Sequence, residues 1–108
     1  MKTTIKLQKG DILYSSWGYG QTNINFYKVK RLVGKTMVEV VRVESEEATE
    51  QPYHYEIRLC PLPFIERPNT FKRKIRGNDR PYISVSDYET ATIWDGKPKS
   101  ATHPNFGH

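Results

Sequence analysis

Ile24-Asn25-Phe26-Tyr27-Lys28-Val29-Lys30-Arg31-Leu32-Val33-Gly34-Lys35-Thr36-Met37-Val38-Glu39-Val40-Val41-Arg42-Val43 decides the fold class. From Ile24 to Leu32 the side chains alternate with period two: Tyr27, Val29 and Arg31 share one face, and Ile24, Phe26, Lys28 and Lys30 share the other. Val33-Gly34-Lys35-Thr36 sets Gly-Lys at the centre of a tight hairpin turn. Thr36 to Val43 is rich in β-branched residues, which favour the pleated conformation. Its partly continuous apolar run (Val38, Val40, Val41, Val43) is that of a central strand. Upstream, the turn Lys9-Gly10-Asp11 opens a further strand from Asp11 to Ser16. The three segments form an antiparallel meander.

Downstream, Glu44 to Pro52 is acidic, without apolar anchors, and reads as a surface loop with room for one helical turn at Ser45 to Thr49. Tyr53 to Cys60 alternates, with Tyr53, Tyr55, Ile57 and Leu59 inward, and Pro61 and Pro63 are expected to end that strand. Phe64 to Asn69 reads as a loop. Thr70 to Arg76 is the next strand, with Lys72, Lys74 and Arg76 on one face and Phe71 and Ile75 on the other, Arg73 between them. Gly77-Asn78-Asp79 turns the chain into a short strand from Pro81 to Val85. Ser86 followed by Glu89 has the spacing of a capping box. Tyr88, Ala91 and Trp94 recur at helical spacing, which predicts a short helix over 86–94. Asp95-Gly96-Lys97-Pro98 is a turn. The expected fold is mainly β, with five to six strands and one short C-terminal helix. An SH3-like barrel is favoured over an open, strongly bent antiparallel sheet. One domain spans 1–108, with 1–8 and 99–108 expected to be less ordered tails.

A chain of 108 residues builds one modest core. Its 36% hydrophobic content and its seven Tyr, four Phe and two Trp argue for a folded domain. Cys60 is the only cysteine, so no intrachain disulfide forms, and its apolar surroundings read as core or half-buried. No apolar run approaches the roughly 20 residues that cross a bilayer. Met1 to Lys6 lacks the apolar segment of a signal peptide, so the chain is expected in the cytoplasm and not in a membrane. The net charge of +5 is uneven. Residues 1–40 and 71–80 are basic, whereas 41–52 is acidic with Glu44, Glu46, Glu47 and Glu50. Basic clusters attract polyanions over a distance, although many small soluble proteins are mildly basic without binding any.

Catalytic patterns are missing from the sequence. There is no phosphate-binding glycine loop of the Walker or dinucleotide type, no Cys-x-x-Cys, and no metal-ligand spacing among His54, His103 and His108. Asp79, Asp87, Glu89 and Asp95 read as turn or cap residues rather than as an acid–base pair. The expectation is a non-enzymatic chain with no cofactor and no metal.

Binding chemistry is concentrated in two places. Between the first two strands lies Ser15 to Tyr27, with four aromatics, two glycines and three side-chain amides. Trp17, Tyr19, Gln21, Asn23, Asn25 and Tyr27 are its candidate ligand-binding residues: aromatic faces stack on bases, and amides read nucleotide edges. The competing reading makes the amides backbone partners within the loop and Trp17 and Phe26 core. The second place is the basic strand face, Lys72, Lys74 and Arg76 with Arg80 nearby. It could follow a phosphate backbone or serve only as a solvated, edge-protecting face. Trp94 to Pro98 reads as a core anchor followed by a turn.

Two of these segments resemble a pattern in small proteins of bacteriophages, prophages and plasmids. Ser15-Ser16-Trp17-Gly18-Tyr19-Gly20-Gln21-Thr22-Asn23-Ile24-Asn25-Phe26-Tyr27-Lys28-Val29 is similar to their Ser-Ser-Trp/Tyr-Gly-Tyr-x-Gln-Thr-Asn-x-x-Phe-Tyr-x-Val stretch. Trp94 to Pro98 and Phe106-Gly107-His108 are similar to their Tyr/Trp-Asp-Gly-Lys-Pro segment and Gly-rich tail. The resemblance implies a mobile-element accessory protein in a bacterial host and supplies no catalytic residue. The function expected from residues and context together is non-catalytic nucleic-acid binding. The alternative is an anti-defence inhibitor that binds a host protein such as a nuclease, or that sequesters a signalling nucleotide. A homodimer is compatible with either.

Overall fold

The computed structural model describes residues 7–18, 22–47, 56–77 and 80–102, with the backbone alone at 56–57 and 100–102. Among the described residues there are seven strands: β1 (Ile12–Trp17), β2 (Asn23–Val33), β3 (Met37–Glu47), β4 (Glu56–Lys74), β5 (Tyr82–Ser86), β6 (Glu89–Ile93) and β7 (Lys99–Thr102). They form a single sheet in the order β5-β6-β1-β2-β3-β4-β7, and every pairing is antiparallel. The sheet curls strongly into a half-barrel. At one rim the two flanks meet where Arg76 and Tyr82 exchange backbone hydrogen bonds of 2.8 and 3.0 Å. The expected mainly β, strongly bent sheet is therefore what the chain forms.

The meander follows from its alternation. Directly opposed residues share a face, and β1 is in register with β2 from Ile12↔Lys28 to Trp17↔Asn23. The β2–β3 turn has Gly34 at φ 64, a left-handed conformation that costs glycine nothing. A bulge between Val29 and Arg31 shifts the β2–β3 register and adds local twist. Leu13, Tyr27, Val29, Val38, Val40, Ile83 and Ala91 point into the concavity with Leu7, and Phe71, Ile75, Val85 and Ile93 pack against them. The convex face has a second core of Ile24, Phe26, Val41 and Val43, covered by Ile12, Tyr14, Leu59 and Trp94. Phe26 is 1% exposed, and its ring meets Trp94 edge-on at 6.1 Å. Trp94 is thus the C-terminal anchor that its sequence position suggests.

Several expectations fail downstream of the meander. The helix expected over 86–94 is a β-hairpin: β5 turns at Asp87 and Tyr88 into β6. Glu89, Ala91 and Ile93 alternate inward there, and the Glu89 carboxylate finds partners inside the sheet that a helix cap would not supply. Pro61 and Pro63 do not end a strand, and 64–69 is not a separate loop, because β4 runs through all of them. β7 pairs with β4 only from Glu56 to Leu59. Beyond Leu59 the prolines lie where β4 has one neighbour and a missing N–H is tolerated. Slack is taken up by bulges, since Val43 faces Glu66 whereas the adjacent Glu44 faces Leu62. Glu44 to Glu47 continue β3 instead of opening a loop. Within the segments expected as tails, Leu7 is buried, and Lys99–Thr102 forms β7. Residues 1–6, 48–55 and 103–108 lie outside the described residues, and so do the expectations made for them.

Candidate functional site

β1 and β2 join at the same end of the sheet as the β5–β6 turn, here the upper end. Gly34 and Gly77 lie at the lower end. Of the loop candidates, Tyr19 and Gln21 fall outside the described residues. Trp17 is half-buried and tilts against the Tyr88 ring at 5.4 Å. Its indole N–H is buried without a partner among the described residues. Asn23 sits opposite Trp17 and is half-buried.

Asn25 and Tyr27 are not loop residues. Both are buried inside the concavity, 8% and 3% exposed, together with Ser15 at 1% and Glu89 at 6%. Glu89 Oε2 accepts the Ser15 hydroxyl, the Tyr27 hydroxyl at 2.5 Å and the Asn25 amide at 3.1 Å. Arg42, exposed on β3 opposite Tyr27, donates to Asn25 Oδ1 at 2.8 Å. Burial raises the Tyr27 phenol well above its ordinary value, and the hydrogen bond to Glu89 reinforces the shift. The network holds β1, β2 and β6 together through polar groups that are all satisfied, an arrangement that specifies register.

Glu89 is the residue that sequence reasoning missed. Its capping-box spacing concealed the alternation Glu89, Ala91, Ile93 that places it inward. The flanking β-branched Thr90 and Thr92 are the signal that favours a strand there.

Of the basic candidates, Lys72 and Lys74 lie on β4, and Arg76 and Arg80 lie beyond its end. Lys72, Lys74, Arg76 and Arg80 are exposed. Several other cations of the sheet are paired. Lys30 and Lys28 meet Glu66 at 2.9 and 3.3 Å, Arg31 meets Glu39 at 3.2 Å, Arg67 meets Glu44 at 2.6 Å, and Lys99 meets Asp95 at 2.9 Å. Hydrogen bonding from Lys30 holds the Glu66 carboxyl below its usual range, and Lys99 does the same for Asp95. Lys72, Lys74, Arg76 and Arg80 reach no carboxylate among the described residues. Arg73, between them, turns inward instead. It lies 4.7 Å over the Phe71 ring and donates to the carbonyls of Lys72 and Val85.

The two candidate sites lie at opposite ends. Lys74 faces Met37, which faces Val33, while Trp17 faces Asn23 at the other end of β2. Ten residues of strand separate those levels, roughly 30 Å. The loop aromatics therefore do not share a site with the basic strand.

A different set of aromatics does. The register Arg76↔Tyr82, Tyr82↔Thr92, Thr92↔Tyr14 places all four residues in one row across the convex face. Beside the row lies a groove of about 360 Å³ lined by Tyr14, Arg80, Pro81, Thr92, Ile93, Trp94 and Asp95. Gly77 shapes the turn that delivers Arg80 to it, with φ 92.

No family model, curated protein or solved structure matches this chain. Its reading rests on its own geometry. The described residues contain no group of three or more acidic, His or Cys side chains able to hold a metal. They contain no helix long and apolar enough to cross a membrane.

Proposed function

We propose that the chain is a non-catalytic nucleic-acid-binding protein whose contact surface is the lower basic face, and, in the setting its resemblance implies, an accessory protein of a mobile element. One observation carries the reading: Lys72, Lys74, Arg76 and Arg80 are exposed and form no ion pair among the described residues, with Glu39 directly across from Lys72 already paired to Arg31, while Lys28, Lys30 and Lys99 are paired elsewhere. An unneutralised row of cations spaced by two strand residues can displace counterions from a phosphate backbone. Fluorescence anisotropy with labelled nucleic acid tests this at two salt concentrations. Binding should weaken steeply with salt. Lys72→Gln, Lys74→Gln and Arg76→Gln together should lower the slope of log K against log salt by about 2–3. An unchanged slope removes the proposal.

The upper end favours a second reading, in which the chain inhibits a host defence protein. Tyr88 is 71% exposed and packs on Trp17, and Arg42 is exposed on β3, beyond β2 from Trp17. Trp, Tyr and Arg are the residue types that dominate protein interfaces. Tyr88→Ala should then abolish a stoichiometric complex with the host protein while leaving nucleic-acid binding unchanged.

A further inference from the structure

The groove beside the basic row is too small for a duplex and has what a single nucleotide needs. Tyr14 and Trp94 supply aromatic surface on one side, and Arg80 and Pro81 face them across Thr92. Of the two charged residues that line the groove, Asp95 is neutralised and Arg80 is not. Asp95 is held by the Lys97 amide at 3.0 Å and by Lys99 at 2.9 Å, and Lys99 also lies 4.4 Å over the Tyr14 ring. Arg80 has no carboxylate partner among the described residues. An incoming phosphate is therefore drawn to the Arg80 side, which continues into Arg76, Lys74 and Lys72, and a base is directed toward the aromatic and Asp95 side. Trp94 is already oriented, because its indole N–H donates to Lys97 O at 2.7 Å and its ring packs nearly perpendicular to that of Phe26 at 6.1 Å. An anchored ring loses little freedom when a base stacks on it.

We infer that this groove receives one unstacked base of single-stranded nucleic acid, whose phosphates run along Arg80, Arg76, Lys74 and Lys72. The inference rests on the nucleic-acid reading above and narrows it to single strands. A paired base is held in its stack and cannot enter a side groove without being extruded, so the site selects strands whose bases are free.

The test alters the ligand, so folding of a variant is not at issue. The intact protein is titrated with a labelled single-stranded oligonucleotide, with a strand of equal length and charge made of abasic sites, and with the corresponding duplex. The abasic strand and the duplex should each bind at least about fivefold more weakly than the intact single strand, the lower limit for one stacked base. In Trp17→Phe protein, where Trp94 is the remaining tryptophan, the intact strand should quench the emission and the abasic strand should not. Tyr14→Leu should erase the preference for bases while keeping the salt dependence. Equal affinity for all three ligands overturns the groove assignment and leaves the phosphate contact standing. Binding of none of them at low salt overturns both. Displacement of the strand by a free mononucleotide at comparable concentration would make the ligand a small nucleotide and also overturn the single-strand assignment.

Discussion

Removing the Glu89 carboxylate should cost far more than its place on a short strand suggests, and the cost should depend on Tyr27. Glu89→Ala leaves three buried donors without an acceptor: the Ser15 hydroxyl, the Tyr27 hydroxyl and one Asn25 amide hydrogen. A buried unsatisfied polar group costs about 1–3 kcal/mol. The two hydroxyls can rotate, and the three donors share one oxygen, so simple addition overstates the total. We expect about 4 kcal/mol, within the roughly 5–15 kcal/mol of a typical domain, and therefore a protein that still folds. Tyr27→Phe in the native background removes a hydrogen bond to a carboxylate and should cost about 1.5–3 kcal/mol. In the Glu89→Ala background the same change removes an orphaned donor and should be neutral or stabilising. Urea denaturation of the four proteins, followed by circular dichroism, gives the coupling directly, expected at about 1 kcal/mol or more. A Tyr27→Phe cost equal in both backgrounds refutes the network. So does a Glu89→Ala protein within about 1 kcal/mol of the native chain.

Two further outcomes follow from single positions. The Tyr27 phenol has a raised pKa in the folded chain, so folding holds its proton and the unfolded chain releases it near pH 10. That increment of stability is complete below about pH 10 and is lost as pH rises toward the folded value. Stability measured across that range should fall, and it should fall less in Tyr27→Phe. A β-carbon at Gly77, where φ is 92, would sit 2.3 Å from the Arg80 carbonyl oxygen, whereas one at Gly34, where φ is 64, meets nothing within 4 Å. Gly77→Ala should therefore destabilise by more than the roughly 1–2 kcal/mol of left-handed strain expected for Gly34→Ala. It should also weaken nucleic-acid binding by displacing Arg80. Equal melting temperatures for the two variants would contradict this.

The β2–β3 hairpin is legible in the sequence because alternation, β-branching and Gly34 agree. The basic face of β4 is legible for the same reason: Lys72 and Lys74 alternate with Phe71 and Arg73, and only one set is apolar or able to bond inward. Residues 86–94 are not legible from local pattern. Ala91 belongs to both the helical series Tyr88, Ala91, Trp94 and the strand series Glu89, Ala91, Ile93. The choice between them is made by donors on Ser15, Asn25 and Tyr27, far away in sequence. The path through Pro61, Pro63 and Pro68 is obscured for another reason. Proline argues against a central strand, but the sequence does not show that β4 beyond Leu59 has a neighbour on one side only. The candidate site divides likewise. The free cations could be read from their spacing, whereas the aromatics beside them, Tyr14, Tyr82 and Trp94, come from three separate segments and meet only through register.

The strand order has a consequence for how the chain is made. β1 is central in the sheet, between β2 and β6, and the partners Ser15 and Glu89 are 74 residues apart. During synthesis β2, β3 and much of β4 emerge while one edge of β1 still has no neighbour. The inner polar groups of Ser15, Asn25 and Tyr27 wait through the same interval for their acceptor. An unpaired edge beside an unfinished core is the form in which β-rich chains associate wrongly. The last described hairpin therefore acts as a completion step: until β6 arrives, the nascent chain has the sequence of its sheet but neither its seal nor its interior charge.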